Sequence, residues 1–170
     1  DFFIAEETLA AISQKAPLAS SLAAERVRDE VEKTLLTKKP ETVGRMAQLG
    51  LLDVFLTKPG KELPELSAAA SLPKKALDRW MALCLVLIRR GLISDTRDFL
   101  TALKLDSRTI RCCTDGVALL SQPKPSTPPD WKRLLCRMGV DTVSCAARCL
   151  DALDGGSSYR ELKAILKSGD

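Results

Sequence analysis

The chain has 170 residues, 45% of them hydrophobic and 28% charged, with a net charge of +4 and a pI near 8.8. That length suits one domain or two small ones sharing a core, and the mild basicity is compatible with an RNA partner without demanding one. The complete lack of histidine excludes Ser-His and Cys-His catalysis and phosphohydrolases built on a His-Asp metal pair. No signal peptide is visible, and the longest apolar run, Met81 to Ile88, is too short to cross a bilayer as a helix.

The sequence opens at Asp1 without a methionine, and Phe2-Phe3-Ile4 reads as the middle of an element, so a fragment of a longer chain is expected. Glu6 to Lys15 is a short helix stopped by Ala16-Pro17. Ser21 to Leu56 follows as two helices joined at Lys38-Lys39-Pro40. In the first, Leu22, Val27, Val31 and Leu35 recur at helical spacing, and Arg26–Glu30, Arg28–Glu32 and Asp29–Lys33 stand where surface pairs can meet. Pro40 suits the first turn of the second helix, and Gly50 suits its left-handed stop, after which Leu51 and Leu52 can fold back over Val43 and Met46.

Thr57 to Lys61 is a turn, and Glu62 to Ala70 a weak helix interrupted by Pro64. Ser71 is the expected cap of the next helix, with Pro73 in its first turn, Arg89-Arg90 against the negative end of its dipole and Gly91 beyond. Between Trp80 and Ile88 that helix is apolar nearly all round, which places it at the centre of a bundle with Trp80, Leu83 and Leu87 deeply buried. Further helices start at Ser94, carrying Phe99, Leu100 and Leu103, and at Asp106 or Ser107, running to Leu120. Ser121 to Pro129 holds four of the nine prolines and is a loop. It ends in Thr127-Pro128-Pro129-Asp130, a capping box for a helix over Pro128 to Met138. Gly139 stops that helix, Asp141 caps the next one through Leu153, Gly155-Gly156 is a break, and Ser158-Tyr159-Arg160-Glu161 is a second capping box opening a helix to Lys167.

No stretch alternates as a strand does, and aromatics make up only 4%, so the core must be Leu, Ala, Val and Ile. The expectation is an all-α array of about nine short helices without a fixed-period repeat. Of the six cysteines, Cys112 and Cys113 are adjacent, Cys145 and Cys149 share a helix face, and Cys84 and Cys136 stand alone. With no C-x-x-C and no histidine, they are expected to be buried free thiols in a reducing cytoplasm, with no metal bound.

Certain residues say more than their periodicity. Glu25-Arg26, Glu30, Glu32-Lys33, Leu35-Leu36, Pro40 and Leu49-Gly50-Leu51-Leu52 resemble the neck of bacterial tRNA nucleotidyltransferases, the CCA-adding enzymes, and of the related bacterial poly(A) polymerases. The similarity extends upstream to Phe3 through Ile12 and downstream through Arg79 to Cys84 and Phe99 to Leu105, fading after Gly139. It implies a neck over residues 1–66, a helical body over 67–154 and the start of a tail over 155–170. The segment Arg79-Trp80-Met81-Ala82-Leu83-Cys84-Leu85-Val86 looks like one that reads R-W-x-x-L-x-H-D in hydrolase-bearing relatives, and here the histidine is missing.

The resemblance implies that catalysis belongs to a head preceding Asp1, where a Gly-Ser turn and an Asp-x-Asp pair would hold Mg and ATP or CTP. No Asp-x-Asp occurs in this chain, so no cofactor is expected within it and the fragment alone should not catalyse. What remains is holding a tRNA. Glu25, Arg26 and Glu30 would form a charged pivot between head and neck, against the plain alternative of a solvated helix face. For RNA phosphates the candidates are Lys38, Lys39 and Arg45, and a second cluster of Lys132, Arg133 and Arg137. Trp131 and Tyr159 are candidates for stacking on bases, with Trp131 also fitting a core or hinge position. The competing readings are a poly(A) polymerase fragment and a non-catalytic helical module that binds a protein partner.

Overall fold

The computed structural model describes residues 3–168, and no strand forms among them. In chain order the helices are α1 (Glu6–Lys15), α2 (Ala24–Leu35), α3 (Thr42–Gln48), α4 (Ala76–Arg89), α5 (Thr96–Ala102), α6 (Ser107–Leu120), α7 (Pro128–Met138), α8 (Val140–Asp154) and α9 (Ser158–Ser168). Three 3-10 helices, Ala16–Ser21, Asp53–Phe55 and Pro64–Ser71, join them. The architecture is all-α. Phe3 to Ala5 are not helical, so Phe3 and Ile4 precede an element where mid-element was expected; Asp1 and Phe2, like residues 169 and 170 at the end of the expected tail, lie outside the described residues.

The apolar run in α4 has the place its composition demands. Every residue from Asp78 to Leu87 is buried, and Trp80, Leu83 and Leu87 are at most 2% exposed. Around it pack α2, α6, α8 and the Pro64–Ser71 turn, and one hydrophobic core runs from Val27 on α2 to Cys149 on α8. A smaller core of Trp131, Val143, Ala147 and Leu162 joins α7, α8 and α9. Helix α8 serves both, with Cys145 and Cys149 toward the first and Val143 and Ala147 toward the second.

Local signals set several ends as expected. Gly50, at φ +82°, closes α3 in a paired motif in which its N–H donates to Ala47 and that of Leu51 to Met46. Thr127 and Asp130 form the reciprocal box that opens α7. Other ends differ. Helix α4 starts at Ala76, not after Ser71, whose hydroxyl instead donates to Ala68 inside the 3-10 turn. Pro73 is the reason, because it holds Leu72 extended (φ −69°, ψ 155°) and delays the helix. Pro40 sits in the turn before α3, and Leu22 precedes α2 and is 53% exposed. Asp95, one residue past Ser94, caps α5 by accepting from the Asp98 N–H at 2.8 Å. Asp141 lies inside the first turn of α8 and pairs with Arg108 on α6. At α9 the expected Ser158 box is replaced by Asp151 of α8, whose carboxylate accepts from the N–H groups of Ser158 at 2.8 Å and Tyr159 at 2.9 Å.

Two tight approaches lock the stretch after α3 onto that helix. A Cβ on Gly60 would lie 2.1 Å from the Ala47 carbonyl oxygen, and one on Gly44 would lie 2.3 Å from the Leu63 nitrogen. The end of α4 is tied twice: Arg89 donates two hydrogen bonds of 2.7 Å to Asp154, and Arg90 grips Glu65 in the same forked way. These partners hold the Asp154 and Glu65 carboxyls below their ordinary range, chiefly through the hydrogen bonds from Arg89 and Arg90. Five thiols are buried, and burial pushes those of Cys84 and Cys113 up, while Cys145 is raised first by its hydrogen bond with Cys149. Cys136 is exposed on α7, against the expectation that all six are internal.

Candidate nucleic-acid interface

Helix α2 turns Val27, Val31 and Leu35 into the core, and its polar residues do not pair as sequence spacing suggests. Lys33 bridges to Glu30 at 2.7 Å rather than to Asp29, and Arg28 takes Asp29 at 2.9 Å. The Arg26–Glu30 pair thus loses Glu30 to Lys33 on the same helix, and the Arg28–Glu32 pair loses both members to other elements. Arg28 also donates to the Lys104 carbonyl at 2.7 Å, and Glu32 accepts from the Trp80 indole N–H at 2.7 Å. These partners come from 48 and 76 residues away, beyond the reach of any helical-spacing rule.

The strongest tie is Arg79. Its guanidinium is 1% exposed and collects five backbone carbonyls: Leu35 at 2.8 Å and Thr37 at 3.3 Å, Leu72 at 3.1 Å and Ala70 at 3.4 Å, and Pro73 at 3.3 Å. Burial lowers its pKa, with the Asp78 charge opposing that shift. A buried cation stands only when every donor finds an acceptor, and here the C-terminal carbonyls of α2 and of the 3-10 turn supply them. The arrangement has an electrostatic consequence. Carbonyls at a helix C-terminus carry the negative end of the dipole, and Arg79 neutralises them beneath the turn that carries Lys38 and Lys39.

Lys38, Lys39 and Arg45 are all exposed, the lysines on the α2–α3 turn and Arg45 on α3. Glu25, Arg26 and Glu30 lie on the outer side of α2, and all three are exposed. Arg26 and Glu30, with Leu22, Met46, Leu51 and Leu52, line a groove of about 520 Å³ beside α2. Beside it, α1 has no buried residue, and Leu18, Leu22 and Val54 stand 53–68% exposed. The second basic group is carried by α7, where Arg133 and Arg137 are exposed and Lys132 is half-buried. It rests on the smaller core, so the structure keeps the two basic groups on separate elements and separate cores.

The aromatic candidates fare differently. Trp131 is 3% exposed and anchors the smaller core, so it has no face to offer a base. Tyr159 is half-buried under cations already, with Arg148 at 5.0 Å and Lys163 at 5.7 Å from its ring centre. Arg148 in turn donates to Asp78 at 2.6 Å; burial works against its charge, and the Asp78 partner outweighs burial and raises its pKa.

Residues 1–69 match the family described as "Probable RNA and SrmB- binding site of polymerase A". Over 96% of its length the chain is similar to the solved CCA-adding enzyme of Bacillus stearothermophilus, crystallised with CTP, at 26% identity and a TM-score of 0.69. Residues 1–69 thus match that RNA-binding region, and nearly the whole chain is similar to part of a CCA-adding enzyme. The chain spans 42% of the length of the Bacillus enzyme, and no curated protein matches it by sequence. No group of His, Cys, Asp or Glu among the described residues is arranged to hold a metal ion. No described helix is long and apolar enough to cross a membrane. Two features escaped sequence reading: the carbonyl-collecting role of Arg79, for which an arginine inside an apolar helix was the only available signal, and the placement of Lys124 beside Arg133 and Arg137.

Proposed function

We propose that this chain is the tRNA-holding arm of a tRNA nucleotidyltransferase that adds all or part of CCA to tRNA 3′ ends in the cytoplasm. The observation that carries the reading is the match of residues 1–69 to an RNA-binding region, continued across nearly the whole chain by likeness to a CCA-adding enzyme. In this reading residues 1–66 are the neck, 67–154 the body and 155–170 the start of a tail. Lys38, Lys39 and Arg45 contact phosphates from the neck, and Lys132, Arg133 and Arg137 from α7. Phosphate contacts position without reading sequence, which suits an enzyme that accepts every tRNA.

A catalytic head of the same protein supplies the Mg ions and binds ATP or CTP. The exposed α1, Leu18, Leu22 and Val54 and the groove beside them form a face that fits such a partner, with Glu25, Arg26 and Glu30 as its charged pivot. Poly(A) polymerase is the second reading, favoured by the match of residues 1–69 to a binding site of polymerase A. The full-length parent separates the two: aminoacylatable tRNA made from CCA-less transcripts supports the first, and homopolymeric A tails support the second.

A further inference from the structure

Between α7 and the proline-rich loop 121–127 lies a groove of about 440 Å³ that the neck-centred family match does not reach. Its floor is apolar, made by Leu119, Leu134, Pro123 and Pro125, and its rim is basic, with Lys124, Arg133 and Arg137. Arg133 and Arg137 are four apart on α7 and so project side by side. The one carboxylate in the lining, Asp130, is engaged by Thr127, accepting from its hydroxyl at 2.6 Å and its N–H at 3.2 Å. Its other oxygen pairs with Arg133 at 3.6 Å and Lys124 donates to Glu161 at 3.3 Å, so three rim cations face two carboxylates. The rim thus keeps positive charge to spare over a floor the size of a small-ligand site.

We propose that this groove holds one unpaired nucleotide of an RNA strand, its base on the Leu–Pro floor and its phosphate between Arg133 and Arg137. The proposal rests on the RNA-binding reading above and deepens it by naming single-stranded RNA as the occupant. Duplex RNA hides its base faces, so only an unstacked base uses an apolar floor, while a guanidinium pair suits a phosphate. A protein partner fits worse. None of the exposed large hydrophobic side chains, from Phe3 to Leu166, lines the groove, so it lacks the apolar contact area that forms an interface core.

The chain carries its own probe. Cys136 lies between Arg133 and Arg137 in sequence and is the one exposed thiol among the six. A benzophenone maleimide on Cys136 of the whole chain should crosslink to unpaired nucleotides of a tRNA. Arg133→Ala/Arg137→Ala should weaken binding of a short single-stranded RNA about tenfold or more and flatten the log–log salt slope by about 0.7, the value for one phosphate. The same variant should weaken binding of a blunt RNA duplex by clearly less, because a duplex seats no base in the groove. If the unmodified chain binds tRNA but the variant binds the single strand normally, or the label marks only paired nucleotides, the groove assignment is overturned and the broader reading stands. If a polyglutamate peptide displaces the single strand at equal charge concentration, the groove is a generic anion site and the assignment also fails. If the unmodified chain binds no RNA at all, both fall together.

Discussion

Removing the buried guanidinium with Arg79→Met should cost more than any single surface change. Methionine keeps the aliphatic stem but withdraws all five hydrogen bonds. The bonds to Leu35 and Leu72 are fully buried, so two carbonyls lose their donor where water does not replace it. At about 1–3 kcal/mol for each unsatisfied group, the gross loss is about 2–6 kcal/mol. Release of a desolvated charge offsets part of that, leaving an expected net loss of about 2–4 kcal/mol. Arg79→Lys keeps the charge with three donors in place of five and should lose less, about 1–2 kcal/mol. Urea unfolding followed by tryptophan fluorescence measures both, since Trp80 lies in the main core and Trp131 in the smaller one. A methionine variant within about 0.5 kcal/mol of the parent would refute the claim that Arg79 fastens the neck to the body.

Gly60→Ala forces a Cβ onto the Ala47 carbonyl, a backbone atom that cannot swing aside, and should lower the urea midpoint below the parent's. Comparable midpoints would show that the close approach costs nothing. Asp151→Ala should free the start of α9 and cost about 1 kcal/mol, visible as faster amide exchange at Ser158 and Tyr159 specifically. Protection left intact there would remove the cap from the account. In native buffer one thiol, Cys136, should react rapidly with a chromogenic disulfide, and the other five only on unfolding; two or more fast thiols would contradict the buried positions of the rest.

What sequence reading could reach follows the range of the interactions involved. The span of α1, the box at Thr127 and the stop at Gly50 depend on neighbours within a few residues, and they were legible. So was the central place of α4, because nine residues without a polar face have nowhere else to go. Ser71 misled because a serine before a proline resembles a cap, while Pro73 acts on Leu72 to delay the helix. The ion pairs on α2 were misassigned for a different reason. Glu32 is held by Trp80, 48 residues on, and Arg28 by the Lys104 carbonyl, 76 residues on, and neither contact leaves a mark in local spacing. For the interface, the basic residues were visible as types; the groove that Lys124 completes with Arg133 and Arg137 needed the proline loop folded over α7.

The central claim is that this helical arm grips RNA through its backbone phosphates. The most direct test titrates salt against tRNA affinity for the whole chain. Steep loss of affinity between 50 and 200 mM salt, on the order of 10³-fold or more if about six phosphates are contacted, is the expected result. Weak binding that does not change with salt would contradict it.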